Sequence, residues 1–460
     1  MELQAMELQN SQLQIRKNKM KRIISLTVIV MCIAAAVSAE EYDLSAYLAL
    51  VERNNPDILL AYKNLELSNT GVAQARSVFL PSAGLQGGYN RNLLEQSQSM
   101  AVASTGQPGP LIFQDVRSNF DNEFILGIGV NQVLFSASAI SNYNKAKVGK
   151  AIQEQSYDAV RLAVLSAAKK LYVRAQLANL IVQIRESSER LSLEQYERVQ
   201  RRHQVGAAIE LDLLSAEVNW LSKADAVIEA RKNAELALTA LRNLAGIPHT
   251  QTITLSEKRM DDLPAIPDVM NLGDVLAGRA DYRALLLARD LAEIDRKAAS
   301  GAFFPEVSAS LSYGLGYLNG NSDVPGGDHN FNSASLGIRV NIPISTGGAR
   351  IARMNAARLE QEKANIALWQ RETAIESELY ELQLRLSELQ RRIESSFRTV
   401  ETAQRAVALA QSAYSNGQAT YLAVVDAQEK LDLVWVNFAY LGFEYLSAYY
   451  DYELSLGLNR

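Results

Sequence analysis

Two stretches of this chain lack nearly every residue that stops a helix. Ser138–His203 contains no proline and one glycine, Gly149, and Ala349–Asn416 contains neither residue. At 1.5 Å per residue, about 66 helical residues extend roughly 100 Å, far beyond the core of a compact domain. The 460 residues hold only 25 Gly and 10 Pro, so turns are few and elements are long. A loop-rich globular enzyme of this size is a poor fit to that count. One Cys and three His leave almost nothing for metal or thiol chemistry, and no nucleophile–base or paired-acid arrangement is evident. No enzyme, cofactor or metal is therefore expected. The net charge of −5 also argues against nucleic acid as a partner.

The N-terminus reads as an address. Lys21 and Arg22 precede an apolar run from Ile23 to Val37, which ends in Val37-Ser38-Ala39. The run is too short for a bilayer span of ~20 residues and fits a secretory signal peptide over 1–39. Residues 1–19 repeat Met-Glu-Leu-Gln and do not resemble a signal's basic start, so translation is expected from Met20. Cys32 follows Ile29-Val30-Met31; Met at that last place is too large for lipid attachment, so Cys32 is expected to leave with the signal. Cleavage removes five basic and two acidic residues, which takes the net charge from −5 to −8. An exported, acidic chain without cysteine suits a bacterial envelope.

The chain repeats itself. Asp57 opens a stretch that reaches Phe79-Leu80-Pro81, and Asp281 opens one that reaches Phe303-Phe304-Pro305. Leu126–Asn131 matches Leu336–Asn341, Val205-Gly206 matches Asn416-Gly417, and Leu244-Ala245-Gly246 matches Ser455-Leu456-Gly457. Four matches in order predict an internal duplication. The first repeat is placed at 40–263, with strands at about 83–93 and 122–134 and long helices at about 137–203 and 210–245. The second is placed at 264–460, with strands at about 306–317 and 334–343 and long helices at about 348–415 and 420–456. The extra residues of the first half fall near Gln96 to Pro110, a polar stretch that reads as a loop.

The strands alternate cleanly. Val307, Ala309, Leu311, Tyr313, Leu315 and Tyr317 alternate with Ser or Gly, and Leu336, Ile338 and Val340 alternate with small or polar residues. One apolar and one polar face fit either a soluble sandwich or a lipid-facing barrel. Tyr89, Tyr313, Tyr317 and Phe331 are candidates for an aromatic girdle, although they are also ordinary strand formers. The return helices carry stripes at three-four spacing: Val424, Ala427, Leu431, Val434, Phe438 and Leu441 in one half, Leu213, Ala216, Trp220, Lys223, Val227 and Ala230 in the other. Such a repeat predicts left-handed coiled-coil packing. Four strands cannot close a barrel, and an open edge in lipid is excluded. Two chains would give eight strands and a filled interior, whereas three give twelve and an open lumen.

This organisation resembles the TolC-like outer-membrane efflux proteins over essentially all of residues 40–460. The motifs that carry the likeness are Asn55-Pro56-Asp57, the two helix-to-strand Pro sites, Asn341–Gly348, Tyr414–Gly417 and Val424–Ala427. The resemblance implies an α+β membrane protein with four barrel strands per chain. Three chains would form a twelve-stranded β-barrel on a long antiparallel α-helical coiled-coil tunnel. It implies a homotrimer in outer-membrane lipid that joins a periplasmic adaptor and an inner-membrane RND or ABC transporter. The expected function is a passive duct of a tripartite efflux system. The alternatives are a type I protein-secretion duct and a periplasmic coiled-coil scaffold without a pore.

The resemblance also assigns a periplasmic gate. Asp212 matches the aspartate of the first turn, Tyr414 the tyrosine it pairs with, and Asp426 an aspartate lining the closed aperture. The competing reading makes both acids ordinary helix-start carboxylates favoured by the macrodipole. Ala419 and Ala423 stand where the family often has a latch arginine and a second aperture aspartate, so the resemblance does not extend to a second latch or a double acidic ring. Arg201 and Arg202, with Gly206 and Gly417, mark the tip turns an adaptor would touch; together with Arg198 and His203, they equally suit a helix C-terminus. His249 and His329 lack a ligand partner at metal spacing, and neither Gly-Gly pair makes a phosphate loop.

Overall fold

The computed structural model describes residues 40–94, 97–102, 112–117, 121–248, 253–256, 263–267, 270–319 and 329–458. The signal segment with Met20 and Cys32, His249, and the Gly326-Gly327 pair lie outside the described residues.

The chain divides into two compact units. One comprises the residues up to Tyr62, Tyr157–Ala280 and Thr373 onward; the other comprises Lys63–Ser156 and Asp281–Glu372. The elements in chain order are β1 (Glu40–Tyr42), α1 (Leu44–Asn54), α2 (Pro56–Ser77), β2 (Ser82–Arg91), β3 (Ser97–Val102), β4 (Ile112–Arg117) and β5 (Asn122–Phe135). Then come α3 (Ala137–Gln204), α4 (Glu210–Ala245), β6 (Ile253–Leu255), α5 (Leu272–Gly278), α6 (Ala280–Gly301), β7 (Glu306–Asn319), β8 (His329–Asn341), α7 (Ala349–Ser415) and α8 (Tyr421–Ser455). The absence of Pro, with Gly149 the one glycine in the two runs, thus yields α3 and α7 of 68 and 67 residues. No described helix is long and apolar enough to cross a membrane.

The Lys63–Ser156 unit carries a four-stranded antiparallel sheet in the order β2-β5-β7-β8. The register sorts the side chains into two faces. Leu85, Ile128 and Tyr313 share one row, Gly87, Leu126 and Leu315 the next, and Tyr89, Phe124 and Tyr317 a third. The other face carries rows such as Gly84, Gly129, Ser312 and Ser335. The apolar rows are open to solvent within one chain; Leu85 is 73% and Leu336 80% exposed. Rings of Tyr89 and Phe124 lie 4.6 Å apart, and Phe124 is 6.0 Å from Tyr317. Phe331 departs from the expected girdle. It pairs with Gly316, on the face opposite that row, and its ring lies over the space a Cβ on Gly316 would take.

Two further differences from the sequence expectation concern strands. The polar stretch after Gln96 is not all loop: Ser97–Val102 pairs antiparallel with Ile112–Arg117 as a separate hairpin. The strand expected from about 334 starts five residues earlier, at His329, which stands opposite Leu318. In the other unit β1 pairs in parallel with β6, Glu40 opposite Ile253. This pair borders a core of Tyr47, Val51, Tyr172, Leu241 and Ile253, in which the Tyr47 hydroxyl donates to the Leu241 carbonyl at 3.2 Å.

The duplication is repeated in backbone detail. Gly206 and Gly417 both have φ of +72°, and Gly246 and Gly457 have +64° and +68°. Each ends a helix in the same way. The N–H one residue on bonds back to the carbonyl five residues earlier: Ala207 to Arg202, Gln418 to Ala413, Ile247 to Arg242 and Leu458 to Glu453. This is the left-handed C-cap that glycine permits without strain. Gly457 is further constrained, because a Cβ there would stand 2.8 Å from the Gly278 backbone carbon, whereas one on Gly206 meets nothing within 4 Å. Gly206→Ala should cost only the left-handed penalty of about 1–2 kcal/mol. Gly457→Ala should cost visibly more, read as a lower thermal midpoint of the folded protein. Equal midpoints for the two variants would contradict the close approach.

Candidate functional site

The two helical turns at Gly206 and Gly417 come together in one unit. Val199, Ala216 and Tyr421 are buried there, with Tyr196, Leu213, Tyr414 and Val425 packed around them. Each helix that follows a turn starts on a residue without side-chain capping, Ile209 before α4 and Thr420 before α8. The first turn of α4 carries Glu210 and Asp212, acids that face the positive end of the helix dipole.

Tyr414, at the end of α7, reaches that turn. Its hydroxyl donates to Asp212 Oδ2 at 3.4 Å. This is long for an O–H···O bond, whose ordinary length is about 2.7–2.8 Å. The tie is therefore weaker than a short charge-assisted bond of ~1.5–3 kcal/mol. Arg202 stacks its guanidinium 4.9 Å from the Tyr414 ring centre. Burial raises the Tyr414 pKa, and the Asp212 carboxylate adds to that, while Arg202 opposes it. The phenol thus remains a donor at neutral pH.

Behind this pair lies Tyr421, edge-on to Tyr414 at 5.5 Å, with its hydroxyl donating to Gln195 Oε1 at 3.4 Å. Burial pushes the Tyr421 phenol up from 10 to about 12. A raised pKa favours the neutral form in the fold. Its stabilising contribution is complete below the ordinary value of 10 and is lost as pH climbs through about 12. A tyrosinate absorbance titration should show several late-ionising phenols, because burial also raises Tyr47, Tyr445, Tyr450 and Tyr452, and Tyr421→Phe should lower the late amplitude by one phenol. A late amplitude unchanged in the variant would contradict the assignment.

The remaining candidates fall elsewhere. Asp426 does not join Asp212 and Tyr414. It pairs with Lys430 at 2.7 Å, and both side chains are well exposed. Arg201 is exposed and lies 3.8 Å from Glu197. Gly206 and Gly417 occupy the turns themselves, and His203 Nδ1 is 3.0 Å from the Ala208 carbonyl oxygen. Above the turns is a feature the sequence reading passed over. Lys223 Nζ donates to Asp432 Oδ2 at 2.8 Å, and Ser188 Oγ donates to the same oxygen at 2.6 Å. These three side chains tie α3, α4 and α8 at a largely buried point. Lys223 was visible as the one charge in an otherwise apolar stripe, where the second repeat has Val434. No group of three or more His, Cys, Asp or Glu capable of holding a metal occurs among the described residues.

A four-stranded antiparallel sheet with an exposed apolar face, in a chain that also carries duplicated long helical hairpins with a tie at their turns, defines an outer-membrane channel protomer. The chain belongs to the outer membrane efflux protein family, whose model matches residues 48–247 and 271–441. That family comprises outer-membrane channels rather than enzymes, and the chain is an outer-membrane protein. It is 23% identical over 322 residues to the alkaline protease secretion protein AprF of Pseudomonas aeruginosa, covering 69% of this chain and 64% of that one. It is 22% identical over 340 residues to the outer membrane protein TolC of Vibrio cholerae, covering 72% and 71%. The fold matches the CmeC outer membrane channel of Campylobacter jejuni with a TM-score of 0.70 at 21% identity, covering 90% of this chain and 85% of that one.

Proposed function

We propose that three copies of this chain form a passive duct through the outer membrane. The duct carries drugs or other small molecules passed on by an inner-membrane pump through a periplasmic adaptor. The observation that carries this reading is the open-edged sheet. Among the described residues, β2 and β8 each leave one edge unpaired in a single chain, and the sheet's apolar rows are exposed. A membrane tolerates neither a free edge nor a partial barrel, so copies must complete it. The pump and adaptor supply energy and selectivity; the chain supplies the conduit and a closure at the turns, in which Asp212 and Tyr414 act as a latch. The cross-tie is weak enough for a docking partner to break. Arg201, Arg202, Gly206 and Gly417 lie at those turns, where an adaptor would contact the duct. Asp426, repeated three times around the axis, would favour cations, moderated here by Lys430.

A second reading, export of whole proteins for an ABC transporter, is favoured by the likeness to a protease secretion protein. Deleting the gene and complementing it separates the two. The efflux reading expects sensitivity to dyes, bile salts or drugs with unchanged secreted protein. Loss of a secreted protein with unchanged drug tolerance would instead support the second reading.

A further inference from the structure

Four helices meet one end of the sheet, and their ends there are basic. α2 stops at Ser77 before β2 begins at Ser82, and α3 starts at Ala137 after β5 ends at Phe135. α6 stops at Gly301 before β7 begins at Glu306, and α7 starts at Ala349 after β8 ends at Asn341. The register brings these strand ends together: Asn131 stands opposite Ser82 and Ser310, and Glu306 opposite Asn341. Side chains join them too. Gln132 Nε2 donates to the Phe79 carbonyl at 2.6 Å, and Ser136 Oγ donates to Glu306 Oε1 at 2.9 Å. The eleven residues of each helix nearest the sheet span about 16 Å. Together the four segments hold eight basic and two acidic residues, in a chain of net charge −5. Both acids are already paired, Asp295 with Lys145 and Glu293 with Lys297. Arg76, Arg296 and Arg353 are exposed and form no ion pair among the described residues. Apolar side chains border this belt where the helices give way to strands. Leu80, Phe304 and Ile342 are more than half exposed, and Ile344 is 95% exposed.

We infer that this basic belt seats the headgroups of anionic phospholipids. Two observations select that partner. The belt adjoins the end of the sheet's exposed apolar rows, so it continues the surface that meets the acyl chains. Its free cations also stand at headgroup depth. The polar layer on each side of the hydrocarbon core is roughly 5–8 Å thick. Arg76, Arg353 and Arg296 lie one, four and five residues from their helix ends, which is about 2–8 Å along the axes. Guanidinium suits a lipid phosphate, which it grips through two parallel N–H donors. The inference rests on the reading that the sheet is part of a barrel in the bilayer; the test keeps the two apart.

The probes are spin-labelled phosphatidylglycerol and spin-labelled phosphatidylcholine, each at trace level in phosphatidylcholine vesicles that hold the full-length protein. Electron paramagnetic resonance reads the share of each label that the protein immobilises. Phosphatidylglycerol should be preferred roughly fivefold, the size of one cation at a membrane surface. The preference should fade in 1 M KCl, where screening acts within about 3 Å. Arg76→Gln/Arg296→Gln/Arg353→Gln should bring the two labels close to parity, and Arg76→Lys/Arg296→Lys/Arg353→Lys should keep most of the preference. Arg391→Gln/Arg398→Gln, more than 40 residues along α7 from its start, should leave it as in the wild type. Parity in the wild type, or an undiminished preference in the triple Gln variant, would overturn the belt. The unheated trimer band and planar-bilayer conductance of the same preparations are read independently. An inserted, conducting trimer without lipid preference defeats the belt alone, whereas a protein that never inserts defeats the barrel.

Discussion

Asp432→Ala is expected to destabilise the helical unit by about 3–5 kcal/mol, because it strands a buried ammonium. Lys223 and Asp432 are only 11% and 14% exposed at the side chain, and Ser188 shares the same carboxylate oxygen. Removing Asp432 leaves Lys223 facing the Ser188 hydroxyl with no counter-charge. The Lys side chain can recover part of the loss by reaching toward water, which places the expected cost at the lower end of that range. Replacing both partners with leucine should be close to neutral, since an apolar pair of similar volume removes the desolvation penalty with the attraction. The measurement is the temperature at which helical circular dichroism is lost. A midpoint for Asp432→Ala equal to wild type would show that the pair does no structural work. A double leucine variant as unstable as the single variant would show that the charges themselves, rather than an unpaired one, matter.

Tyr414→Phe and Asp212→Ala are expected to raise single-channel conductance in planar bilayers severalfold. Each removes the same cross-tie between the end of α7 and the start of α4. Because they share one contact, the double variant should conduct like either single variant rather than like their product. Arg202→Ala should act in the same direction with a smaller effect, since Arg202 holds the ring by stacking and takes no part in the hydrogen bond. At 3.4 Å the bond is loose, so the proposed latch needs only a partner that gains contacts elsewhere to release it. Wild-type conductance in both single variants would remove the latch from the account.

Much of this architecture was readable from residue order, and the failures are instructive. The Pro-free, nearly Gly-free runs and the period-two strands speak through backbone rules that need no neighbour. The β3–β4 hairpin was missed because Ser97–Val102 carries one β-branched residue and no clear alternation. The β1–β6 pair is three residues long, too short for any period to show. Phe331 was assigned to the wrong face because the strand was expected only from about residue 334; carried back through β8, the alternation of Leu336, Ile338 and Val340 puts Phe331 on the opposite face with Ser333 and Ser335, as its pairing with Gly316 has it. The site divides in the same way. The residues at the turns could be named from the family likeness, but their distances depend on how two hairpins pack. Asp426 and Lys430 stand four residues apart on one helix, a spacing that already suggests the pair and moderates any aperture role. Lys223 in an apolar stripe was a visible anomaly, and its partner Asp432 lies 209 residues away.

The central claim is that the sheet of one chain becomes part of a closed barrel in the outer membrane. The most direct measurement is gel electrophoresis of the protein from separated cell envelopes, with and without heating. The account predicts that the protein fractionates with the outer membrane and runs unheated as a trimer that heat converts to monomer. A monomer in the soluble periplasmic fraction, with no heat-dependent species, would contradict it.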